Sequence, residues 1–159
     1  MAETEGPMYL RLVRAAVPNF HKKNYKFEIG RTELLKDGTD ITIFVTGDMV
    51  VLAMEVHDIF ASQGISCKIV NVPTIKPINV EEVIKHGQGT LGALTIEDHN
   101  ILGGGLGSTI AEIYAEFLQK PVKRLGIPDI FTESDDAAIL RSEYGLNVDL
   151  AIRLAREIL

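Results

Sequence analysis

The sequence has few of the residues that mark disulfide-stapled, membrane-spanning or exported proteins. It contains one cysteine, Cys67, so no disulfide can form within the chain. Its longest apolar runs, such as 41–45 and 49–54, are separated by Thr-Gly-Asp and fall far short of the roughly 20 residues that cross a bilayer. The first residues are acidic and polar, where an export signal is basic and then apolar. We expect no membrane association and a cytoplasmic location.

The surroundings of the cysteine favour a structural role. Cys67 lies within the apolar run 65–72, which offers no neighbouring base to activate a thiol. We therefore expect it to be buried and unreactive.

Charge of one sign dominates most of the chain. The net charge is -6, but residues 1–36 carry 7 basic and 4 acidic residues, which leaves 9 basic against 18 acidic in residues 37–159. An acidic body of this kind repels a phosphate backbone. We expect no nucleic-acid partner.

Strand-like and helical runs alternate along most of the chain, and this alternation is typical of an α/β fold with a largely parallel sheet. Asp48 is predicted to cap the first helix and Gly64 to end it. Residues 8–13 also have a strand-like pattern, followed by a linker that contains Pro18. Strands are predicted at 40–45, 66–72, 91–97 and 122–127, and helices from about 49 to 63, near 79–85, at 108–118 and at 148–159.

A glycine cluster at 103–107 precedes the third of these helices, where α/β proteins often hold phosphate groups. The spacing excludes the common nucleotide motifs, because a dinucleotide fingerprint would need glycine in place of Ser108 or Ile110, and no Lys-Ser or Lys-Thr follows. Three interpretations stay open: a tight turn with close helix packing, which we favour, a partner-facing loop, and an anion site.

The main polar cluster is Glu97-Asp98-His99-Asn100, at the carboxyl end of a predicted strand, where ligand-facing residues concentrate in such sheets. In an extended segment Glu97 and His99 share a face, so Glu97 pairs with His99 more naturally than Asp98 does. These residues could perform acid–base chemistry, but we favour mutual hydrogen bonding.

Two further groups of residues have ordinary explanations. The other histidines, at 21, 57 and 86, lack the spacing of metal ligands, so we expect no metal site. The Ser-Asp-Asp sequence at 134–136 is typical of a helix cap.

Seven segments in series resemble the C-terminal region of the transketolase family. They are Gly-Pro-Met-Tyr-Leu-Arg-Leu at 6–12, Lys-Phe-Glu-Ile-Gly at 26–30, Val-Thr-Gly at 45–47, Pro-Thr-Ile-Lys-Pro at 73–77, Thr-Ile-Glu-Asp-His at 95–99, Gly-Gly-Leu-Gly-Ser at 104–108 and Gly-Ile-Pro-Asp at 126–129. The resemblance implies a three-layer α/β/α sandwich with a mixed, mostly parallel five-stranded sheet whose first strand is antiparallel. It assigns residues 1–24 to the last strand of a pyrimidine-binding domain plus a linker, and residues 25–159 to the C-terminal domain.

The same resemblance implies a function for the whole enzyme. Transketolases move a two-carbon ketol unit between sugar phosphates, as dimers that hold thiamine diphosphate and a divalent metal such as Mg²⁺. The family's cofactor motif begins Gly-Asp-Gly, whereas this chain has only Gly47-Asp48-Met49 with no paired asparagines downstream. We therefore expect no bound cofactor and no catalytic residue in this chain, which would support dimer assembly alongside the remaining domains or an N-terminal subunit.

The resemblance also indicates residues of interest. Arg14 falls where transketolases place an arginine that grips the substrate phosphate, a task that suits its planar fork of donors. The interface or loop candidates are Glu97, Asp98, His99, Gly104, Gly105, Gly107 and Ser108. Three alternatives stay open: the same domain of 1-deoxyxylulose-5-phosphate synthase, that of a 2-oxoacid dehydrogenase β subunit, and a free-standing anion-binding or interaction module.

Overall fold

A computed structural model describes residues 4–14 and 16–159 of the chain. Strands and helices alternate as predicted, with a short 3₁₀ turn at Gly47–Met49 before α1 and a π turn at Tyr114–Leu118 after α3. In chain order the elements are β1 (Glu33–Lys36), β2 (Ile41–Val45), α1 (Val50–Ser62), β3 (Cys67–Asn71), α2 (Val80–Gln88), β4 (Ala93–Asn100), α3 (Leu106–Ile113), β5 (Val122–Ile127), α4 (Ala137–Glu143) and α5 (Val148–Arg156).

The strands form one five-stranded sheet in the order β1-β3-β2-β4-β5. β2 pairs in parallel with both β3 and β4, β4 pairs in parallel with β5, and β1 pairs antiparallel with β3. This confirms the mixed, mostly parallel sheet and its antiparallel first strand. From β2 the chain runs first to β3, on one side of β2, and then to β4, on the opposite side of β2. The direction in which successive strands are added therefore reverses between β2 and β4.

Helices cover both faces of the sheet, and each face has its own apolar core. One core joins α1 and α5 to strand residues such as Ile43 and Ile96. The other joins α2 and α3 to residues such as Phe44 and Val70. Neighbouring residues of β2 place their side chains in opposite cores. The whole strand is therefore buried, as is typical of the middle of a parallel sheet.

Of the two predicted ends of the first helix, the C-terminal one is confirmed and the N-terminal one is wrong. Gly64 follows α1 with a φ of +77°, a left-handed conformation that glycine adopts without strain, so the predicted stop is confirmed. The predicted cap is wrong, because Asp48 lies within the 3₁₀ turn and α1 has no side-chain cap. The carboxylate of Asp48 instead forms an ion pair with Arg141.

Two other helices have side-chain caps, and the first of these caps lies in the predicted cap sequence. Asp136, in the predicted Ser-Asp-Asp cap, accepts a hydrogen bond of 2.9 Å from the N–H of Ala138 at the start of α4. Asn79 accepts one of 3.0 Å from Glu82 N at the start of α2. Each side-chain oxygen accepts a hydrogen bond from one of the backbone N–H groups that a helix leaves unpaired at its first turn.

The described residues before β1 contain neither helix nor strand. The strand predicted at 8–13 is not formed, since a strand needs a neighbour to pair its backbone groups and the described residues provide none there. The assignment of residues 1–24 to a preceding domain stays a prediction. Later parts of the segment contact the domain, where His21 Nδ1 lies 2.8 Å from Glu33 Oε2 and Arg31 Nε lies 2.6 Å from Glu82 Oε1.

Among the helices of the described residues, none is both long enough and apolar enough to cross a lipid bilayer.

Candidate functional site at the carboxyl end of the sheet

The carboxyl ends of β2 and β4 lie side by side at the point where the strand order reverses. In open α/β sheets this is the crevice in which ligands bind. β2 leads into the turn that holds Asp48, and β4 continues to Asn100, three residues beyond the strand predicted from the sequence. Asp48 and the Glu-Asp-His run of β4 therefore meet at one end of the sheet.

Glu97 is a buried anion at the first turn of α3. Its side chain is 1% exposed, and its carboxylate accepts hydrogen bonds of 2.8 Å from Leu106 N and 2.6 Å from Gly107 N. A helix leaves its first N–H groups unpaired and carries a partial positive charge there, so a carboxylate stabilises it in this position. The anion position of the glycine loop is thus filled by the chain's own Glu97.

The glycines let the backbone approach this carboxylate. A Cβ added at Gly105 would collide with the Glu97 carboxylate, and one at Gly107 would lie 3.0 Å from Glu97 Oε1 and 2.9 Å from Thr95 Oγ1. Gly103 and Gly104 have φ of +91° and +101°, which other residues rarely adopt. The contacts agree with the close-packing interpretation of the loop, and Glu97 occupies two of the first N–H groups of α3.

Arg11, from the segment before the domain, reaches the same end of the sheet. Its Nη1 donates to Asp98 Oδ1 at 2.5 Å and its Nη2 donates to Asp98 Oδ2 at 3.1 Å, a two-pronged pair between a guanidinium and a carboxylate. Nη1 also lies 2.6 Å from His99 Nε2. One arginine thus contacts two of the three residues in the Glu-Asp-His run.

The contact with Arg11 determines which nitrogen of His99 carries the proton. A guanidinium only donates, so Nε2 accepts and the neutral ring carries its proton on Nδ1. Nδ1 lies 3.5 Å from Glu97 Oε2, too far for a well-formed hydrogen bond but close enough for electrostatic attraction. Glu97 and His99 therefore lie on one side of the strand while Asp98 turns to Arg11, as the alternation of an extended strand predicts. The expected hydrogen bond between Glu97 and His99 is not formed, because Nδ1 has no hydrogen-bond partner among the described residues.

A residue of α4 forms a second ion pair at this end of the sheet. Arg141 pairs with Asp48, whose side chain is 3% exposed, and its Nη2 lies 4.0 Å from Asp98 Oδ2. Removing one member of a buried pair leaves an uncompensated charge, so such pairs are costly to break. Arg11, Asp98, Arg141 and Asp48 form a continuous chain of alternating charges.

Sequence reasoning singled out neither Arg11 nor Arg141 as a site residue. The sequence separations are 87 residues between Arg11 and Asp98 and 93 between Arg141 and Asp48, so no local spacing connects them. Arg14, which the resemblance indicated, is exposed and forms no hydrogen bond or ion pair with the described residues. Its role in binding phosphate stays a prediction.

Cys67 has the environment of a structural thiol. It is 1% exposed, and burial together with the charge of Asp40 raises the pKa of the thiol to about 12. The thiolate that a nucleophile needs is therefore scarce at neutral pH.

The described residues do not fit thiamine diphosphate or its metal ion. They bring together no group of three histidine, cysteine, aspartate or glutamate side chains that could hold a metal. The acids in the crevice are paired with arginines, and the first N–H groups of α3 are taken by Glu97. The diphosphate and its cation would have to displace these partners.

The family of the chain follows from a comparison with family models. Residues 30–150 match the model of the transketolase C-terminal domain. Since this match covers most of the chain, the protein belongs to the transketolase C-terminal domain family.

Curated relatives agree with this family and extend beyond the chain. A putative transketolase C-terminal section of Methanocaldococcus jannaschii is 40% identical over 99% of this chain and 50% of its own length. The 6-deoxy-6-sulfo-D-fructose transketolase subunit SqwH of Clostridium sp. (strain MSTE9) is 35% identical over 97% of this chain and 48% of its own length. A 1-deoxy-D-xylulose-5-phosphate synthase of Heliobacterium modesticaldum is 36% identical over 98% of this chain and 24% of its own length. The chain spans between about a quarter and half of these relatives.

A solved structure has the same fold. A split gene transketolase, described as an inactive β4 tetramer, superposes with a TM-score of 0.86 and 33% identity, over 92% of this chain and 48% of that one. The α/β architecture of the transketolase C-terminal domain is therefore confirmed.

Proposed function

We propose that this chain is the C-terminal portion of a transketolase whose catalytic parts lie in other domains or in a separate subunit. The reaction is the transfer of a two-carbon ketol unit between sugar phosphates. The observation that carries the proposal is the position of the Glu97 carboxylate, which fills the α3 N-terminus where an anionic ligand would otherwise bind. The crevice of this domain is thus built for internal packing, and the relatives described as a transketolase section and a transketolase subunit support the reaction class.

In the assembled enzyme, thiamine diphosphate held by the other domains would supply the carbanion stabilisation that ketol transfer requires. The residues of this chain supply architecture and one substrate contact. Arg14 binds the phosphate of the sugar through its fork of donors. The covered sheet gives the enzyme a rigid domain that supports the dimer, and the missing domains complete the active site. The relatives described as a C-terminal section and a transketolase subunit support this division.

Reconstitution tests the proposal. The purified chain is mixed with thiamine diphosphate, Mg²⁺, a ketose phosphate and an aldose phosphate, with and without a protein that supplies the diphosphate- and pyrimidine-binding domains. We expect ketol transfer only in the mixture that contains both proteins. Turnover by the chain alone would contradict the proposal, and so would a stable two-protein complex that transfers no ketol unit.

The 36% sequence identity to a 1-deoxy-D-xylulose-5-phosphate synthase favours a second candidate function, in which this chain is the C-terminal domain of such a synthase. The same reconstituted complex separates the two, because formation of 1-deoxyxylulose 5-phosphate without ketol transfer would favour the synthase. A free-standing anion-binding module is tested with the isolated chain by calorimetry with nucleotides and sugar phosphates. Binding in the micromolar range would support such a module, and we expect none.

A further inference from the structure

We propose that Arg11 is a positioning residue, which fixes the segment carrying Arg14 to the domain through Asp98. This inference rests on the proposed function, in which Arg14 binds the substrate phosphate. The chain of charges at the carboxyl end of the sheet would then have a role in the reaction through the placement of Arg14.

The attachment of the segment depends on one side chain. The hydrogen bonds and ion pairs recorded for the described residues 4–14 all involve Arg11. Both prongs of its guanidinium contact Asp98, and Nη1 also contacts His99 Nε2 at 2.6 Å. Two prongs on one carboxylate fix orientation as well as distance. The guanidinium of Arg11 is therefore fixed in orientation as well as in distance from the Asp98 carboxylate.

Asp98 is a mostly covered anchor for this contact. It lies near the end of β4, between Ile96 and Asn100, which both pair with β5, and its carboxyl side chain is 15% exposed. Its Oδ2 also lies 4.0 Å from Arg141, which is itself held by the nearly buried Asp48. A functional group is placed accurately when the residues that support it are themselves fixed by packing and hydrogen bonds.

Because Arg14 is close to Arg11 in the sequence, holding Arg11 in place also limits where Arg14 can lie. Arg14 follows Arg11 by three residues, and a chain of that length spans at most about 10 Å. The backbone at Arg14 therefore stays within a small volume as long as Arg11 is held. A guanidinium placed in advance binds phosphate without first losing the freedom of its segment. Releasing Arg11 weakens phosphate binding and leaves the reacting atoms untouched.

Steady-state kinetics of the reconstituted complex test the inference. Arg11→Gln should raise the KM for a phosphorylated acceptor by about tenfold, which corresponds to the loss of one well-placed contact, and kcat should change by less than about twofold. The KM for an unphosphorylated acceptor should not change. Asp98→Asn should reproduce the Arg11→Gln result, and the charge exchange Arg11→Asp with Asp98→Arg should restore part of the loss.

Arg31→Gln is the matched control, because Arg31 is also an exposed arginine of the segment before β1 and pairs with Glu28 and Glu82. It should leave the KM as in the wild type. Combining Arg11→Gln with Arg14→Gln should raise KM no further than Arg14→Gln alone, since both changes remove one phosphate contact.

The possible failures are distinguishable. If Arg14→Gln raises KM and Arg11→Gln does not, the positioning inference is wrong and the proposed function stands. If Arg11→Gln affects phosphorylated and unphosphorylated acceptors equally, Arg11 has a general structural role and the inference is also wrong. If the wild-type complex transfers no ketol unit, the proposed function fails and takes this inference with it.

Discussion

Glu97 Oε1 accepts a 2.6 Å hydrogen bond from the backbone N–H of Gly107. The contact joins the end of β4 to the first turn of α3, and it puts a fixed negative charge where many α/β proteins bind phosphate. The glycines at 105 and 107 leave room for the carboxylate, so the glycine loop serves the inside of the domain.

Replacing Glu97 with glutamine should destabilise the domain. The amide keeps the shape but loses the charge, and its NH₂ group can face a backbone N–H of α3, so a buried donor loses its acceptor at a cost of about 1–3 kcal/mol. Urea unfolding at pH 7 measures the change. Glu112→Gln, an exposed position on the same helix, is the control and should leave the unfolding free energy unchanged. Equal stability of the two variants would contradict this account of Glu97.

Gly105→Ala should also destabilise the domain, because the added methyl group collides with the Glu97 carboxylate. Overpacking of this kind costs about 1–3 kcal/mol. Gly89→Ala is the matched control, since Gly89 has a negative φ and open space around its Cα. Unfolding midpoints of the two alanine variants should differ clearly, and a Gly105→Ala protein as stable as Gly89→Ala would show that the loop has more room than the structure indicates.

His86 should make the domain sensitive to mild acid. Burial and the nearby charge of Lys68 lower the pKa of His86 from its usual value of 6.5. Below pH 6.5 the unfolded chain then takes up a proton that the folded state does not, so stability is lost as the pH falls through the folded-state pKa. Between pH 7.5 and 5.5, His86→Gln should lose less unfolding free energy than the wild type. An equal loss in both proteins would show that His86 has no part in the acid response.

Cys67 should resist thiol reagents while the domain is folded. Its thiol is buried and its pKa is raised to about 12, so little thiolate is present or accessible at pH 8. We expect no labelling by a chromogenic disulfide reagent in buffer and complete labelling in denaturant. Rapid labelling of the folded chain would mean that the thiol is accessible.

Local sequence patterns predicted the central strands and most of the helices, because alternating apolar runs and turn residues act over short distances. They did not show β1 (Glu33–Lys36), a short edge strand that mixes polar and apolar residues, although the family resemblance implied an antiparallel first strand.

The chain of charges at the carboxyl end of the sheet was beyond prediction from local pattern. Asp48 has the local appearance of a helix cap, but its partner Arg141 lies 93 residues away in the sequence. Arg11 and Asp98 are separated by 87 residues. Such contacts follow from the tertiary fold, which brings the ends of β2 and β4 together, and no spacing rule along the chain contains them.

The most direct test of the central claim, that this domain provides structure while cofactor chemistry lies elsewhere, is calorimetric titration with thiamine diphosphate in the presence of Mg²⁺. The account predicts no binding heat with the chain alone, and saturable binding once a protein with the missing domains has formed a complex with it. Saturable binding of thiamine diphosphate by the isolated chain would contradict the account.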